Sequence, residues 1–221
     1  MRSNAPWRTS LPTSFRDEPI LLPAPLSGGD RTLFGALKLR RTSRTISAET
    51  IPVQTLSDLL WAAQGVNRAE GPFGVAGRTA GSASNSQEIR LYVLLREGTY
   101  LYEPEPHRLA PVAAGDIRRL AIGRGQQEAG SDAPIRFVYV ADVERFQHAG
   151  FPEPGLYDPE IQKSYYYVDT GLIAQNVYLA AASLGLGTWF HNCDREAFAV
   201  AIGLEGDLRP LFGQTIGHVG A

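Results

Sequence analysis

Ala180-Ala181-Ala182-Ser183-Leu184-Gly185-Leu186-Gly187-Thr188-Trp189-Phe190 joins the end of a long helix to the start of a strand. The helix reads from about Glu160 to Leu184 and is apolar over most of its circumference in its second half. A helix of that kind belongs at the centre of a core or in a subunit interface. Two glycines mark the junction: one suits a helix end, and the second allows a close approach of backbone. The strand spans Gly187 to Phe190. Beyond it, Arg195 to Ile202 reads as a last helix stopped by Gly203, and Gln214 to Val219 as a final strand.

Working back from this junction, Ile135 to Val143 contains the continuous run Phe137-Val138-Tyr139-Val140, the signature of a strand buried on both faces. Residues 124 to 134 read as a polar loop, and Ile117 to Ile122 as a short helix. Ile89 to Leu95 and Thr99 to Tyr102, separated by Glu97-Gly98, predict a hairpin. Residues 66 to 88 are rich in Gly, Ser, Ala and Asn and read as one long loop, of the kind that is usually functional. Leu56, Leu59, Leu60 and Ala63 recur at helical spacing after Pro52, with Gly65 placed to end that helix. Leu33, Ala36 and Leu37 predict an earlier helix that runs into Leu39-Arg40-Arg41-Thr42-Ser43-Arg44. Residues 1 to 30 hold Pro6, Pro12, Pro19, Pro23 and Pro25 and predict an extended arm. That arm is either a disordered tail or a segment packing Ile20-Leu21-Leu22 on another surface, such as a second subunit. Hairpins and long loops break the βαβ rhythm, so the fold class is α+β, with an arm over 1–30 and one domain over 31–221.

The 221 residues suit a single domain at about 150 residues per domain. With 21 Lys and Arg against 23 Asp and Glu, the net charge of −2 argues against a nucleic-acid binder, whose surface is normally basic. Hydrophobic residues at 43% are enough to build a core. One cysteine, Cys193, excludes an intramolecular disulfide framework and a cysteine-based zinc cluster. His107, His148, His191 and His218 are scattered, which argues against a metal site. Neither a membrane-spanning apolar run nor an export signal is readable, so a cytoplasmic location is expected, or a periplasmic one had a signal been removed.

Three stretches could carry chemistry. Arg40, Arg41 and Arg44, with Thr42 and Ser43 between them, offer charged forks and hydroxyls to a phosphate; equally, they could be a solvated helix end. Gly81-Ser82-Ala83-Ser84-Asn85-Ser86-Gln87 could let backbone approach a flat ligand while Asn85 and Gln87 read its polar edges; equally, it could be an ordinary surface loop. Cys193 sits near His191 and Asp194 with no partner motif, and a lone thiol of this kind is more often packing than nucleophile.

Taken in order, these stretches resemble the nitroreductase superfamily of FMN-dependent oxidoreductases over roughly residues 31 to 219. The chain looks most like the branch containing the dehydrogenases of thiazole/oxazole-modified peptide pathways. The basic segment matches Arg40, Arg41, Thr42 and Arg44, and the family's flavin loop matches Gly81, Ser82, Ala83, Asn85 and Gln87. The Leu-Gly-Leu-Gly-Thr turn leads into Phe190, His191, Asn192 and Cys193. Leu59–Asn67 and Gly171–Val177 also look like this branch. The resemblance implies a central, mostly antiparallel sheet flanked by helices and an intertwined homodimer. In such a dimer the loop would reach the FMN held mainly by the other subunit. No side chain is implied as catalytic, because the flavin carries the chemistry. Electrons would pass between NAD(P)H and a small organic acceptor such as a nitro compound or quinone, or from a small substrate being dehydrogenated. The alternative is a non-catalytic flavin-binding or partner subunit of a peptide-modifying complex. Two departures stand out. Gly81 replaces the usual proline, and only Gly220 and Ala221 follow Val219, so the phosphate would rely on Arg40, Arg41 and Arg44. Phe151, Tyr157 and Tyr165-Tyr166-Tyr167 are candidates to cover the substrate, although the tyrosine run also reads as helix packing.

Overall fold

The computed structural model describes residues 11–26, 32–126, 132–149 and 157–220. Among the described residues, five α-helices and nine strands follow in the order β1 (Ile20–Leu21), α1 (Leu33–Leu39), α2 (Val53–Gln64), β2 (Val66–Arg68), β3 (Gly77–Arg78), β4 (Ile89–Leu94), β5 (Gly98–Glu103), β6 (Arg108–Ala114), β7 (Ile135–Asp142), α3 (Val143–Gln147), α4 (Pro159–Ser183), β8 (Gly187–Asn192), α5 (Arg195–Ala201) and β9 (Leu208–Gly217). Seven strands form one sheet in the order β1-β6-β5-β4-β7-β9-β8, and every neighbouring pair is antiparallel. β2 and β3 form a separate small hairpin. The fold is α+β, as the sequence predicts.

The period-two alternation of strands divides the core. Leu91 and Val93 of β4, with Phe137 and Tyr139 of β7, face the side where α2 and α4 pack. Tyr92, Leu94, Val138 and Val140 face the opposite side, against Phe198 of α5 and Leu120. All eight residues of β7 are therefore buried, and its continuous apolar run has partners on both faces. Asp158 caps α4 by accepting the Glu160 N–H at 2.9 Å, and Pro159 fills the first helical position.

Several expectations change. The segment from 66 to 88 is not one loop, because it contains β2, β3 and two 3-10 turns at Pro72–Gly74 and Ala83–Asn85. The strand β6 has no counterpart in the sequence reading, and β9 starts at Leu208 rather than Gln214. Both extra stretches carry a proline, which reads as a strand breaker. Pro111 and Pro210 each sit where the pairing register shifts, the kind of position at which a sheet tolerates proline. Ile117–Ile122 is a single 3-10 turn over Arg118–Ala121. The arm packs Ile20 and Leu22 into this chain's own core rather than onto a second subunit. Ser57 Oγ donates to Pro23 O, and Asp58 accepts the Leu26 N–H at 2.8 Å. The arm's first ten residues and residues 27–30 lie outside the described residues, as does Phe151. Among the described residues no helix is long and apolar enough to cross a membrane.

Candidate functional site

Helix α1 ends at Arg40, whose φ of −55° and ψ of 122° turn the chain into an extended segment. That segment runs beside β8. Thr42 bridges Thr188 in parallel, and the Ser43 N–H donates to Thr188 O at 3.0 Å. Ile46 bridges Val219 further on. The contact is possible because Gly187 has no side chain: a Cβ there would lie 2.8 Å from Val219 Cγ2 and 3.0 Å from Ser43 Cβ. Gly185 has φ +76°, which lets the chain reverse after α4. Both glycines of the junction thus have distinct tasks.

Tyr178 of α4 ties the segment to the strand. Its hydroxyl accepts the Phe190 N–H at 3.0 Å and lies 3.1 Å from Thr42 Oγ1. The Arg40 guanidinium sits 5.4 Å from the Tyr178 ring centre, and that of Arg44 sits 5.7 Å from the Trp189 ring. Such stacking orients a guanidinium without consuming its N–H donors. Arg40 and Arg44 are therefore held beside β8, with exposed Arg41 between them, and among the described residues none of the three pairs with a carboxylate. This donor set fits a phosphate group.

The stretch Phe190 to Cys193 alternates in exposure. Phe190 is half-buried among Tyr139 and Phe212, with ring centres 6.0 and 4.8 Å away, and Phe212 in turn meets Tyr167. Asn192 is exposed, and its carbonyl accepts the Gly123 N–H at 2.7 Å. His191 and Cys193 turn inward. His191 contacts Thr215 Oγ1 through Nε2 at 2.8 Å, and burial pushes its pKa down to about 4, so the ring is neutral. Burial pushes the Cys193 thiol up to about 11, which leaves it a packing group. Of these residues only the backbone and the side chains of Phe190 and Asn192 are placed to meet a ligand.

The loop Gly81–Gln87 lies elsewhere on α4. Asp169 Oδ2 accepts the Ala83 N–H at 2.9 Å, and Ser82 Oγ accepts the Gln87 N–H at 3.0 Å. Asn85 and Gln87 do not present their amides outward. Asn85 donates to Pro72 O at 3.1 Å and accepts from Gln87 Nε2, while Gln87 also donates to Ala76 O and accepts from Arg78 Nε at 2.8 Å. The expectation that these two amides read a ligand's polar edges gives way to a role in fixing the loop. Ser84, Asn85 and Gln87 all have positive φ, which gives this stretch its tight path. Gly81 is the exposed part of the loop, and Ser82 and Ala83 are half-buried. The anchors of the two halves, Tyr178 and Asp169, are about 13 Å apart along α4 at about 1.5 Å per residue.

Sequence reasoning missed Tyr178, Asp169 and Glu88. Asp169 is detectable in principle: it sits in the stripe Tyr166, Thr170, Ile173, Val177 that faces the core, where an acid demands a partner. Glu88 is fully buried beside it and accepts from Ser86 Oγ at 2.6 Å. Burial and the neighbouring Asp169 charge push Glu88 up to about 8, and burial raises Asp169 as well. The two carboxyls therefore hold a proton at neutral pH. Tyr166 is in the core, and Tyr167 packs on it at 5.0 Å, so those two members of the tyrosine run are packing groups. Tyr157 is exposed.

The chain is similar to several known proteins. The profile described as "Nitroreductase family" matches residues 37–218. A protein of Methanocaldococcus jannaschii whose name assigns it to the nitroreductases is 32% identical over 156 residues, covering 67% of this chain and 72% of that protein. A crystal structure from Ralstonia eutropha JMP134, titled as a nitroreductase, is 33% identical with TM-score 0.79, covering 97% of this chain and 94% of the other. A chain of the Escherichia coli microcin synthetase McbBCD complex with truncated pro-MccB17 bound shares the fold at 18% identity and TM-score 0.66, covering 91% of this chain and 78% of that one.

Proposed function

This chain belongs to the nitroreductase family, and on that premise we propose that it is an FMN-dependent oxidoreductase that works as a homodimer. It would pass electrons between NAD(P)H and a small organic acceptor such as a nitro compound or quinone, or dehydrogenate a small substrate. The observation that carries this reading is the basic segment beside β8, whose Arg40 and Arg44 are stacked on Tyr178 and Trp189 and have no carboxylate partner among the described residues. Arg40, Arg41 and Arg44 would hold the phosphate, with the Thr42 hydroxyl as a further donor. The outer side of Phe190–Cys193 would flank the ring, and Gly81, Ser82 and Ala83 would reach it from the partner subunit. FMN, when bound, supplies the acceptance and release of a hydride or electrons; the protein supplies binding, orientation and electrostatics. Neutral His191 and protonated Cys193 leave no acid–base pair at β8, in keeping with a site whose chemistry the cofactor carries.

Exposed apolar residues support the dimer. Phe34 of α1 is 81% exposed, and Val168 and Leu172 of α4 are 58% and 47% exposed, apolar side chains that a second subunit would cover. The test is direct. Mass spectrometry of cofactor released from purified protein should give FMN, and anaerobic addition of NADH or NADPH should bleach it. Recovery of FAD alone, or a flavin that neither nucleotide reduces nor any substrate turns over, would overturn the reading.

The likeness to the microcin synthetase chain supports a second reading, a partner subunit of a peptide-modifying complex without turnover of its own. Colourless protein that takes up no added FMN would favour it.

A further inference from the structure

On the far side of the Gly81–Gln87 loop a cavity of about 480 Å³ opens between the end of β5, the start of β6 and helix α3. Of the residues assigned above to the flavin, only Gln87 lines it. Its charged lining is Arg78, Arg90, Arg108 and Arg145 against Glu103 and Glu105. Arg90 is spent on Asp142, with Nε 2.9 Å from Oδ2, and Arg108 is spent on Glu103. Two cations remain. Arg78 is nearly buried, held through Nε by Gln87 and through Nη1 by the Gln64 carbonyl, while among the described residues its Nη2 meets Glu105, at 3.2 Å, whose side chain is 63% exposed. Arg145 is exposed at the start of α3, and among the described residues no carboxylate pairs with it. Arg78 and Arg145 repel each other, and burial and that repulsion both lower the Arg78 pKa. Leu101, Tyr102 and Pro104 add an apolar wall.

We propose that this cavity is a binding site for a small organic anion, with a phosphate or carboxylate head between Arg78 and Arg145 and an apolar body against Leu101 and Tyr102. A largely exposed carboxylate such as Glu105 is a weak partner for a buried guanidinium. A ligand anion that displaces it can bridge two guanidiniums by forked hydrogen bonds and remove their repulsion. The volume is in the range of small-molecule sites, about 300–1,000 Å³.

Phenyl phosphate, benzoate and inorganic phosphate are suitable probes, titrated into the protein by calorimetry at constant ionic strength. Phenyl phosphate should bind saturably and more tightly than inorganic phosphate, because only it fills the apolar wall. Arg145→Ala, an exposed change that leaves the fold intact, should weaken phenyl phosphate about ten- to hundredfold. Arg209→Ala, which removes the same charge from another surface, should leave binding unchanged. Arg44→Ala should also leave it unchanged, which separates this site from the proposed flavin phosphate site and makes the test independent of that reading. Absence of saturable binding would overturn the proposal. So would equal losses in Arg145→Ala and Arg209→Ala, or a loss in Arg44→Ala alone.

Discussion

The basic segment at Arg40–Arg44 and the loop at Gly81–Gln87 are the two halves of the proposed flavin site, and they are made in opposite ways. The segment keeps its charge unspent: its backbone is tied to β8, while its guanidiniums are only stacked on Tyr178 and Trp189. The loop spends its polar side chains inside the protein, through Gln87, Asn85 and Ser82, and Asp169 of α4 holds its backbone. One half can therefore bind by charge, and the other can only present a fixed backbone shape. Residue type alone does not distinguish them, since Asn and Gln in a glycine-rich loop look as available as Arg at a helix end.

The contrast is broken first by removing charge. Arg40→Ala and Arg44→Ala should each weaken FMN retention by about 1.5–3 kcal/mol, roughly ten- to hundredfold, measured by flavin fluorescence on dilution. Unchanged retention would mean that the segment is only a solvated helix end. Gln87→Leu attacks the other half. It strands Arg78 Nε and Ala76 O and should cost about 1–3 kcal/mol of stability in denaturant unfolding, with a smaller loss of flavin affinity. A flavin loss as large as that of Arg44→Ala, without loss of stability, would show that the Gln87 amide reads the ligand after all.

A mixed dimer sharpens the comparison further. Pairing an Arg44→Ala subunit with an Asn85→Ala subunit leaves one intact and one doubly damaged site if the halves come from different chains. Flavin occupancy should then partly recover relative to either homodimer. If each site is built within one chain, every site keeps one defect and nothing recovers.

The last test is of pH dependence, and it isolates the loop's anchor. Glu88 holds its proton to about pH 8 in the folded protein, against 4.5 for the ordinary carboxyl. The folded state thus binds more protons in that window, and stability falls as pH rises from about 4.5 to about 8. His191 acts in the other direction. Its folded pKa of about 4 lies below the ordinary 6.5, so its contribution is full above 6.5 and is lost as pH falls toward 4. Melting temperature should decline between about pH 6.5, where the opposing His191 contribution is complete, and about pH 8 in the native protein. Glu88→Gln should flatten that decline and leave the acid-side loss in place; an unchanged alkaline slope would remove Glu88 as its source.

Most of the fold is legible in periodicity. The stripe of Leu56, Leu59, Leu60 and Ala63 and the doubly buried run in β7 need no knowledge of the rest of the chain. β6 and the first half of β9 are hidden because Pro111 and Pro210 argue locally against a strand, and only the register shifts of their neighbours accommodate them. The site is legible to a different degree. Arg40, Arg41 and Arg44 announce themselves as charge, but the burial of His191 and Cys193 depends on β9 and α5 packing over them. Tyr178 is invisible as a tether, because its partners Thr42 and Phe190 are distant in sequence. Chemistry that depends on a residue's type can be read along the chain, whereas chemistry that depends on who else has claimed its atoms cannot.

The two-residue strand β1 has a consequence for self-association. β6 is an outer strand of the sheet, and β1 covers it only at Arg108 and Leu109. Further along, Pro111 removes one N–H from the row that a foreign strand would need. An exposed strand edge is a template for the addition of other chains, and proteins blunt it with short covering strands and prolines. The proline-rich arm is thus a guard: by laying Ile20 and Leu21 on β6 and burying Leu22, it denies neighbouring molecules a docking row that would build fibres rather than dimers.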